Sequence, residues 1–193
     1  MKLQDVVRFR KDLLFDGAVQ VGWFDDNPSL ASRAAEHFVF HGPSYRGVSK
    51  VGSFSAEDHT VDTASFVHEV LKGLSDAERG APFMLAISGY GTGKSHLALT
   101  LSQLLSNPHS RTAQRVLENL TRSDDKLGIA VQSLLQSVGK PYLVVTINGM
   151  KDFDVTVEVT SQILKRLAED GLDTAALENV RPRFLTAQRL TEK

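Results

Sequence analysis

The stretch ISGYGTGKSHLAL, residues 87–99, constrains this chain more than any other part of its sequence. It sets a glycine-rich turn and a lysine between the apolar run PFMLAIS (82–88) and the helical pattern KSHLALTLSQLL (94–105). Gly89, Gly91 and Gly93 allow the backbone to adopt positive φ angles. The N–H groups of such a loop can converge on an anion in front of a helix N-terminus. The stretch therefore predicts a buried strand, a phosphate-binding loop and a helix.

The side chains of this loop suit a nucleotide with a bound metal ion. Lys94 is predicted to reach the β- and γ-phosphates of ATP as the catalytic cation, and the Ser95 hydroxyl to ligate Mg²⁺. The spacing follows the P-loop, or Walker A, pattern G-x-x-x-x-G-K-[ST], except that Ser88 stands where its first glycine is expected. The predicted nucleotide-binding residues are Ser88, Gly89, Tyr90, Gly91, Thr92, Gly93, Lys94, Ser95 and His96. For His96, an ordinary position on the helix surface is the favoured alternative.

Composition narrows the class of protein. The chain has 193 residues, 41% of them hydrophobic, which is enough to bury a core, and it contains no long apolar segment or signal-peptide pattern. We therefore expect a soluble, cytoplasmic protein without membrane contact. The absence of cysteine excludes disulfides and thiolate zinc sites. A net charge of −1 gives the whole chain no general attraction to nucleic acid.

The hydrophobic patterns divide the chain into two parts. Residues 1–60 are predicted to form a small mixed α/β segment, with strand-like runs at 17–24 and 37–42 around a helix at 28–36. Residues 61–193 are predicted to form an α/β P-loop domain, an incomplete parallel sheet flanked by helices. Its strands would be 82–88 and 141–147, and its helices lie near 61–74, 94–105, 112–120, 127–138 and 155–170. The first of these helices is predicted to begin at a cap on Asp62 or Thr63.

Hydrolysis of ATP needs an acid that this sequence does not clearly supply. P-loop ATPases hold Mg²⁺ with an aspartate, yet the run PYLVVTI (141–147) is followed by Asn148. Asp152 and Asp154 come shortly afterwards. We favour a helix-capping role for both, with a metal-facing carboxylate pair as the alternative.

The segment GYGTGKSHLAL, with the preceding helix and the run PFMLAIS, resembles the AAA+-type P-loop NTPases. Tyr90 and His96 make it most similar to the large ATPases of bacterial phage-defence systems of the BREX kind. The resemblance covers roughly residues 62–105. It implies a much longer protein, with Walker B, sensor and arginine-finger residues beyond this chain, so we expect a fragment truncated before Walker B or a chain that pairs with other subunits.

Three other features have a structural interpretation that we favour. His37 and His41 could share one face of a strand as metal ligands, but no third ligand is in view. Trp23 is expected to pack in the core rather than stack on bases. The basic residues of the C-terminal third are expected to form a solvated face, with a nucleic-acid or partner surface as the alternative. They are Lys165, Arg166, Arg181, Arg183, Arg189 and Lys193.

Three functions remain open at this point. The leading hypothesis is the ATP-binding module of an AAA+-like ATPase in a bacterial phage-defence or DNA-processing complex, where DNA is reached through partner subunits. The second is an interaction module that binds ATP or ADP without turnover. The third is a small-molecule P-loop kinase.

Overall fold

Helices are the only regular structure in the residues that this computed structural model describes, which are 14–15, 17–45, 61–76, 84–87, 89–147 and 154–178. They are α1 (Trp23–Asp26), α2 (Pro28–Glu36), α3 (Thr63–Ser75), α4 (Lys94–Ser106), α5 (Arg111–Ser123), α6 (Asp125–Val138), α7 (Val155–Glu169) and α8 (Ala175–Glu178). The helices predicted from periodicity, from α2 to α7, are confirmed.

The helix starts follow from short polar side chains at the capping positions. Asn, Asp and Ser accept a hydrogen bond from the backbone N–H three residues later, which satisfies a group that has no acceptor inside the helix. The capping pairs are Asn27 with Leu30, Asp62 with Ser65, Ser110 with Ala113, Asp124 with Leu127, and Asp154 with Val157. The predicted cap at Asp62 is therefore confirmed. The capping role that we favour for Asp154 is also confirmed, at the start of α7.

Two hydrophobic clusters hold the helices together. The larger cluster buries side chains of α3, α4, α5 and α6 together with Phe38 and Phe40. The smaller cluster joins Phe24 of α1 and the inner face of α2 to Leu99 of α4. Because Leu104 lies in the first cluster and Leu99 in the second, α4 is anchored in both. The glycine loop therefore leads into a well-anchored helix.

The predicted α/β fold with a parallel sheet is wrong, because the described residues contain helices and no strand or sheet. A strand exists only where its N–H and C=O groups pair with a neighbouring strand. Residues 84–87 have no regular secondary structure, and Leu85 is 70% exposed and Ile87 is 84% exposed. They are not the buried strand that the apolar run predicted. Residues 82–83 and Ser88 lie outside the described residues.

The run at 141–147 uses its apolar side chains against helices instead of in a sheet. The Tyr142 N–H donates to the carbonyl oxygen of Leu105 at the end of α4, at 2.9 Å. Val144 packs against the smaller cluster. The Thr146 hydroxyl donates to the Asp25 carboxylate of α1, at 2.7 Å. The hydropathy pattern correctly indicated contact with the core, and the partner is helical.

The segment 37–42, another predicted strand, also bonds to a helix instead of to a neighbouring strand. Phe38 and Phe40 are buried and Val39 is 48% exposed, which is the alternation of an extended chain. Its backbone pairs with the start of α3, since the His41 N–H donates to Thr63 Oγ1 and the Ala64 N–H donates to the His41 carbonyl. The other predicted strand of this part, 17–24, is irregular at 17–20 and leads into α1. The proposed division near residue 60 lies beside residues 46–60, which are outside the described residues.

Candidate functional site

Two of the three glycines in the loop before α4 have the predicted positive φ, Gly91 and Gly93, whereas Gly89 does not. Gly91 has φ 75° and Gly93 has φ 88°, both in the left-handed region that favours glycine. Gly93 is the N-cap residue of α4 and has no side chain to offer as a cap. The first intrahelical bond runs from the Leu97 N–H to the Gly93 carbonyl, at 2.8 Å. The N–H groups of the first turn thus have no acceptor within the helix.

The polar side chains of the loop gather around one carbonyl group. Lys94 Nζ donates to the Gly89 carbonyl oxygen at 2.7 Å, and Thr92 Oγ1 donates to the same oxygen at 2.9 Å. Ser95 is exposed beside Lys94, and the Tyr90 side chain is fully exposed. The loop is therefore folded back on itself, with the ammonium group held over it. Ser88, the first residue of the predicted loop, lies outside the described residues.

His96 faces the interior, away from the exposed loop. Its Nε2 lies 2.6 Å from the carbonyl oxygen of Ala34 in α2, and a carbonyl can only accept, so this nitrogen carries the proton. The rings of Phe15 and Phe38 lie 5.9 and 4.9 Å away between centroids. Burial lowers the pKa of His96, with the hydrogen bond to Ala34 opposing and the nearby His37 adding to the decrease. The structure places this predicted nucleotide contact in the α2–α4 interface, and not at the ordinary helix-surface position that was its favoured alternative.

The candidate metal ligands outside the loop have structural roles. Asp154 Oδ1 accepts the Val157 N–H at 3.0 Å, as the cap of α7. His37 Nδ1 bonds to the Arg33 carbonyl oxygen, and the His41 ring contacts Tyr45 edge to face at 3.9 Å between centroids. Within the described ranges, no group of three or more His, Cys, Asp or Glu residues is placed to hold a metal ion. Asn148 and Asp152 fall outside those ranges.

The prediction that Arg166 lies on a solvated basic face is wrong, because its side chain is mostly buried in an ion pair. Its guanidinium pairs with the Asp25 carboxylate of α1 and lies 4.6 Å from the ring centroid of Phe24. Only 9% of the Asp25 side chain and 21% of the Arg166 side chain are exposed. The pair joins α7 to α1 across 141 positions of sequence, a separation at which no local pattern identifies the partner.

The remaining predictions of this group agree with the structure where it describes them. Lys165 is half exposed on α7, 3.9 Å from Glu169, as expected of a solvated face. Trp23 packs against the smaller cluster, with its ring 6.0 Å from that of Phe15. This confirms packing as the role of Trp23. Arg181, Arg183, Arg189 and Lys193 lie outside the described residues.

No family model, curated protein or solved structure matches this chain. Among the helices that the structure describes, none is long and apolar enough to cross a membrane. The function is therefore inferred from the glycine loop, the start of α4 and the elements that hold them.

Proposed function

We propose that residues 88–95 form the phosphate-binding loop of a cytoplasmic module that binds ATP or ADP with Mg²⁺. The observation that carries the proposal is the pair of positive-φ glycines, Gly91 and Gly93, immediately before an uncapped helix that begins with Lys94. Backbone N–H groups and the positive end of the helix dipole attract phosphate at such a place. This requires the loop and the helix, and it does not require a sheet.

The residues present fit a Mg²⁺-bound polyphosphate. A Cβ built on Gly91 or Gly93 meets no atom of the described residues within 4 Å, so these residues leave space beside the loop for a ligand. The Lys94 ammonium, now donating to the Gly89 carbonyl, would move to the phosphate oxygens. Ser95 would supply one oxygen ligand to Mg²⁺, which commonly keeps several waters and binds few protein groups. When bound, the metal ion would offset part of the negative charge of the phosphates.

The wider role that we propose is that of the ATP-binding part of an AAA+-like ATPase in a bacterial phage-defence or DNA-processing complex. Its support is the resemblance of the loop sequence alone. In such a complex, other protein subunits or a further part of the same protein would supply the acid and arginine that complete the site. DNA would be contacted through those partners.

Gly93→Ala tests the phosphate-binding loop. Alanine at φ 88° costs about 1–2 kcal/mol. The free loop can relax away from this conformation, whereas the phosphate-bound loop cannot, so we expect ATP affinity to fall by about fivefold to thirtyfold. Isothermal titration calorimetry with MgATP measures the change.

Gly171→Ala is the matched control for that substitution. Gly171 follows α7 with φ 72°, and a Cβ there also meets no atom within 4 Å in the part of the chain that the structure describes. It carries the same backbone strain at a position to which we assign no ligand. Equal ATP affinity for wild type and Gly93→Ala, or an equal loss for both variants, would contradict the proposal.

Binding without turnover is the second candidate function, and the capping role of Asp154 favours it. This carboxylate is engaged with the start of α7, and an arginine from a neighbouring subunit is a usual part of phosphoryl-transfer sites. We expect the purified chain to release phosphate from ATP at the background rate, with no change on Lys94→Ala. Turnover of about 1 per second that disappears on Lys94→Ala would demonstrate a complete site. Asp152→Asn and Asp154→Asn would then be the next variants.

A further inference from the structure

The last turn of α2 is a junction to which three parts of the chain contribute side chains. Three of its carbonyl oxygens each bond a side-chain nitrogen: Arg33 with His37 Nδ1 at 2.6 Å, Ala34 with His96 Nε2 at 2.6 Å, and Glu36 with Asn119 Nδ2 at 2.8 Å. They belong to the last turn of α2, where the Ala34 carbonyl also accepts the backbone N–H of His37, at 3.0 Å. We call these three bonds the α2 junction. His37 follows α2 directly, His96 belongs to α4 and Asn119 belongs to α5.

His96 connects the α2 junction to the proposed phosphate site, because its ring bonds to α2 while its backbone belongs to the first turn of α4. It lies two residues after Lys94 and one after Ser95, within the first turn of α4. Farther along the same helix, Leu99 is buried against α2, and Ser32 of α2 bonds to Gln103 at 3.5 Å. The bond from His96 to Ala34 therefore fixes the end of α4 at which the phosphate-binding N–H groups emerge.

Two features of the His96 side chain match its surroundings: an N–H that donates a hydrogen bond and a ring that packs against aromatic side chains. The Ala34 carbonyl accepts the Nε2–H hydrogen bond, while the Phe38 ring packs edge to face with the imidazole and the Phe15 ring lies beside it at a tilt. An aliphatic side chain could occupy much of this space without donating. The two contributions can thus be separated by substitution.

We infer that His96 is a positioning residue for nucleotide binding: by bonding to Ala34, it holds the first turn of α4 against α2 in the arrangement that the phosphates need. This inference rests on the proposed function. It adds that occupancy of the loop and the hydrogen bond from His96 to the Ala34 carbonyl are thermodynamically coupled, so each stabilises the other. Lys94 and Ser95 contact the ligand, whereas His96 acts through the helix backbone.

The test compares three variants of the full chain. His96→Leu removes the donor and keeps an apolar side chain, His96→Gln keeps an N–H donor, and Asn119→Leu removes a different bond of the α2 junction, one that leads to α5. Calorimetry gives the dissociation constant for MgATP, and thermal unfolding gives the stability of each variant. Because His96→Leu removes one hydrogen bond that positions the site, we expect it to weaken MgATP binding about threefold to tenfold. We expect His96→Gln to restore affinity to within about twofold of wild type.

Asn119→Leu separates positioning from a general loss of stability. We expect it to lower the melting temperature while leaving the dissociation constant unchanged, since Asn119 bonds to Glu36 and Phe38 and not to α4. If it weakens ATP binding as much as His96→Leu does, affinity merely follows stability and the inference is wrong. Wild-type affinity in His96→Leu overturns it as well.

Hydrogen exchange on the wild-type chain keeps the inference testable if His96→Leu does not fold. We expect MgATP to slow amide exchange in the last turn of α2, and unchanged exchange there at saturating MgATP overturns the coupling. A wild-type chain that binds no ATP overturns the proposed function itself, and the positioning role with it. Binding by wild type with no effect at His96 or α2 overturns the positioning role alone.

Discussion

Lys94→Ala is expected to weaken MgATP binding by about tenfold to a hundredfold. A hydrogen bond to a charged group contributes about 1.5–3 kcal/mol, and about 1.4 kcal/mol corresponds to one factor of ten. The exposed Lys94 side chain bonds to a carbonyl of its own loop, so its removal should affect the ligand far more than the fold. Calorimetric titration with MgATP measures the loss, and circular dichroism checks that the helices remain.

Lys126→Ala is the matched control for Lys94→Ala. Lys126 is the second residue of α6, and it is exposed, so the substitution removes the same charge from the first turn of a different helix. General electrostatic attraction between the chain and ATP would weaken equally in the two variants. A specific site predicts a loss in Lys94→Ala alone. If Lys94→Ala binds MgATP with wild-type affinity, residues 88–95 are not the phosphate-binding loop that we propose.

The helices were predictable because their signals are local. The helix at 28–36 was predicted with the bounds that the structure gives to α2, where Asn27 caps the start and Pro28 occupies the first turn. Asp62 likewise marks the start of α3 within one turn of sequence. In each case the residue that begins the helix lies three positions from the N–H that it satisfies. Periodicity and capping both report contacts inside one short segment.

The strands were not predictable because strand pairing is a long-range property. The runs at 84–87 and 141–147 have the apolar composition of buried strands, and this composition cannot specify which backbone will face them. In the structure the Tyr142 N–H bonds to the end of α4. Phe38 and Phe40 alternate with Val39 as in a strand, yet they are buried against helices. Composition therefore predicted the core contact of Val144 and the burial of Phe38 and Phe40, but neither the exposure of residues 84–87 nor the helical partners.

The candidate site likewise combines local features, which the sequence predicts, with a long-range contact, which it does not. Positive φ at Gly91 and Gly93 and the start of α4 at Lys94 follow from a stretch of a few residues, so the sequence was sufficient to predict them. The partner of His96 is Ala34, 62 positions earlier, and no sequence pattern near either residue predicts this hydrogen bond. A histidine whose ring enters an interface is recognised only once α2 and α4 are packed.

Gly128→Ala is expected to destabilise the chain by about 2 kcal/mol, because α6 approaches the backbone of α5 too closely at this glycine to accommodate a Cβ. A Cβ on Gly128 would lie 2.6 Å from the Cα of Thr121 and would also overlap the Thr121 hydroxyl. A backbone atom cannot turn away as a side chain can, so the two helices would have to separate. That movement would disturb the core around Leu120 and Val131, which are fully buried.

Helix propensity opposes this effect, and the comparison of magnitudes decides the sign. Alanine favours a helix over glycine by up to about 1 kcal/mol, whereas overpacking costs about 1–3 kcal/mol and more when backbone must move. We therefore expect the melting temperature of Gly128→Ala to fall by about 4–8 °C. Gly22→Ala is the control, since a Cβ there meets only Asp26 Oδ2 at 3.5 Å, an ordinary contact, and should leave the melting temperature nearly unchanged. If Gly128→Ala unfolds at or above the wild-type temperature, α5 and α6 are not in contact at Thr121 as the structure has them.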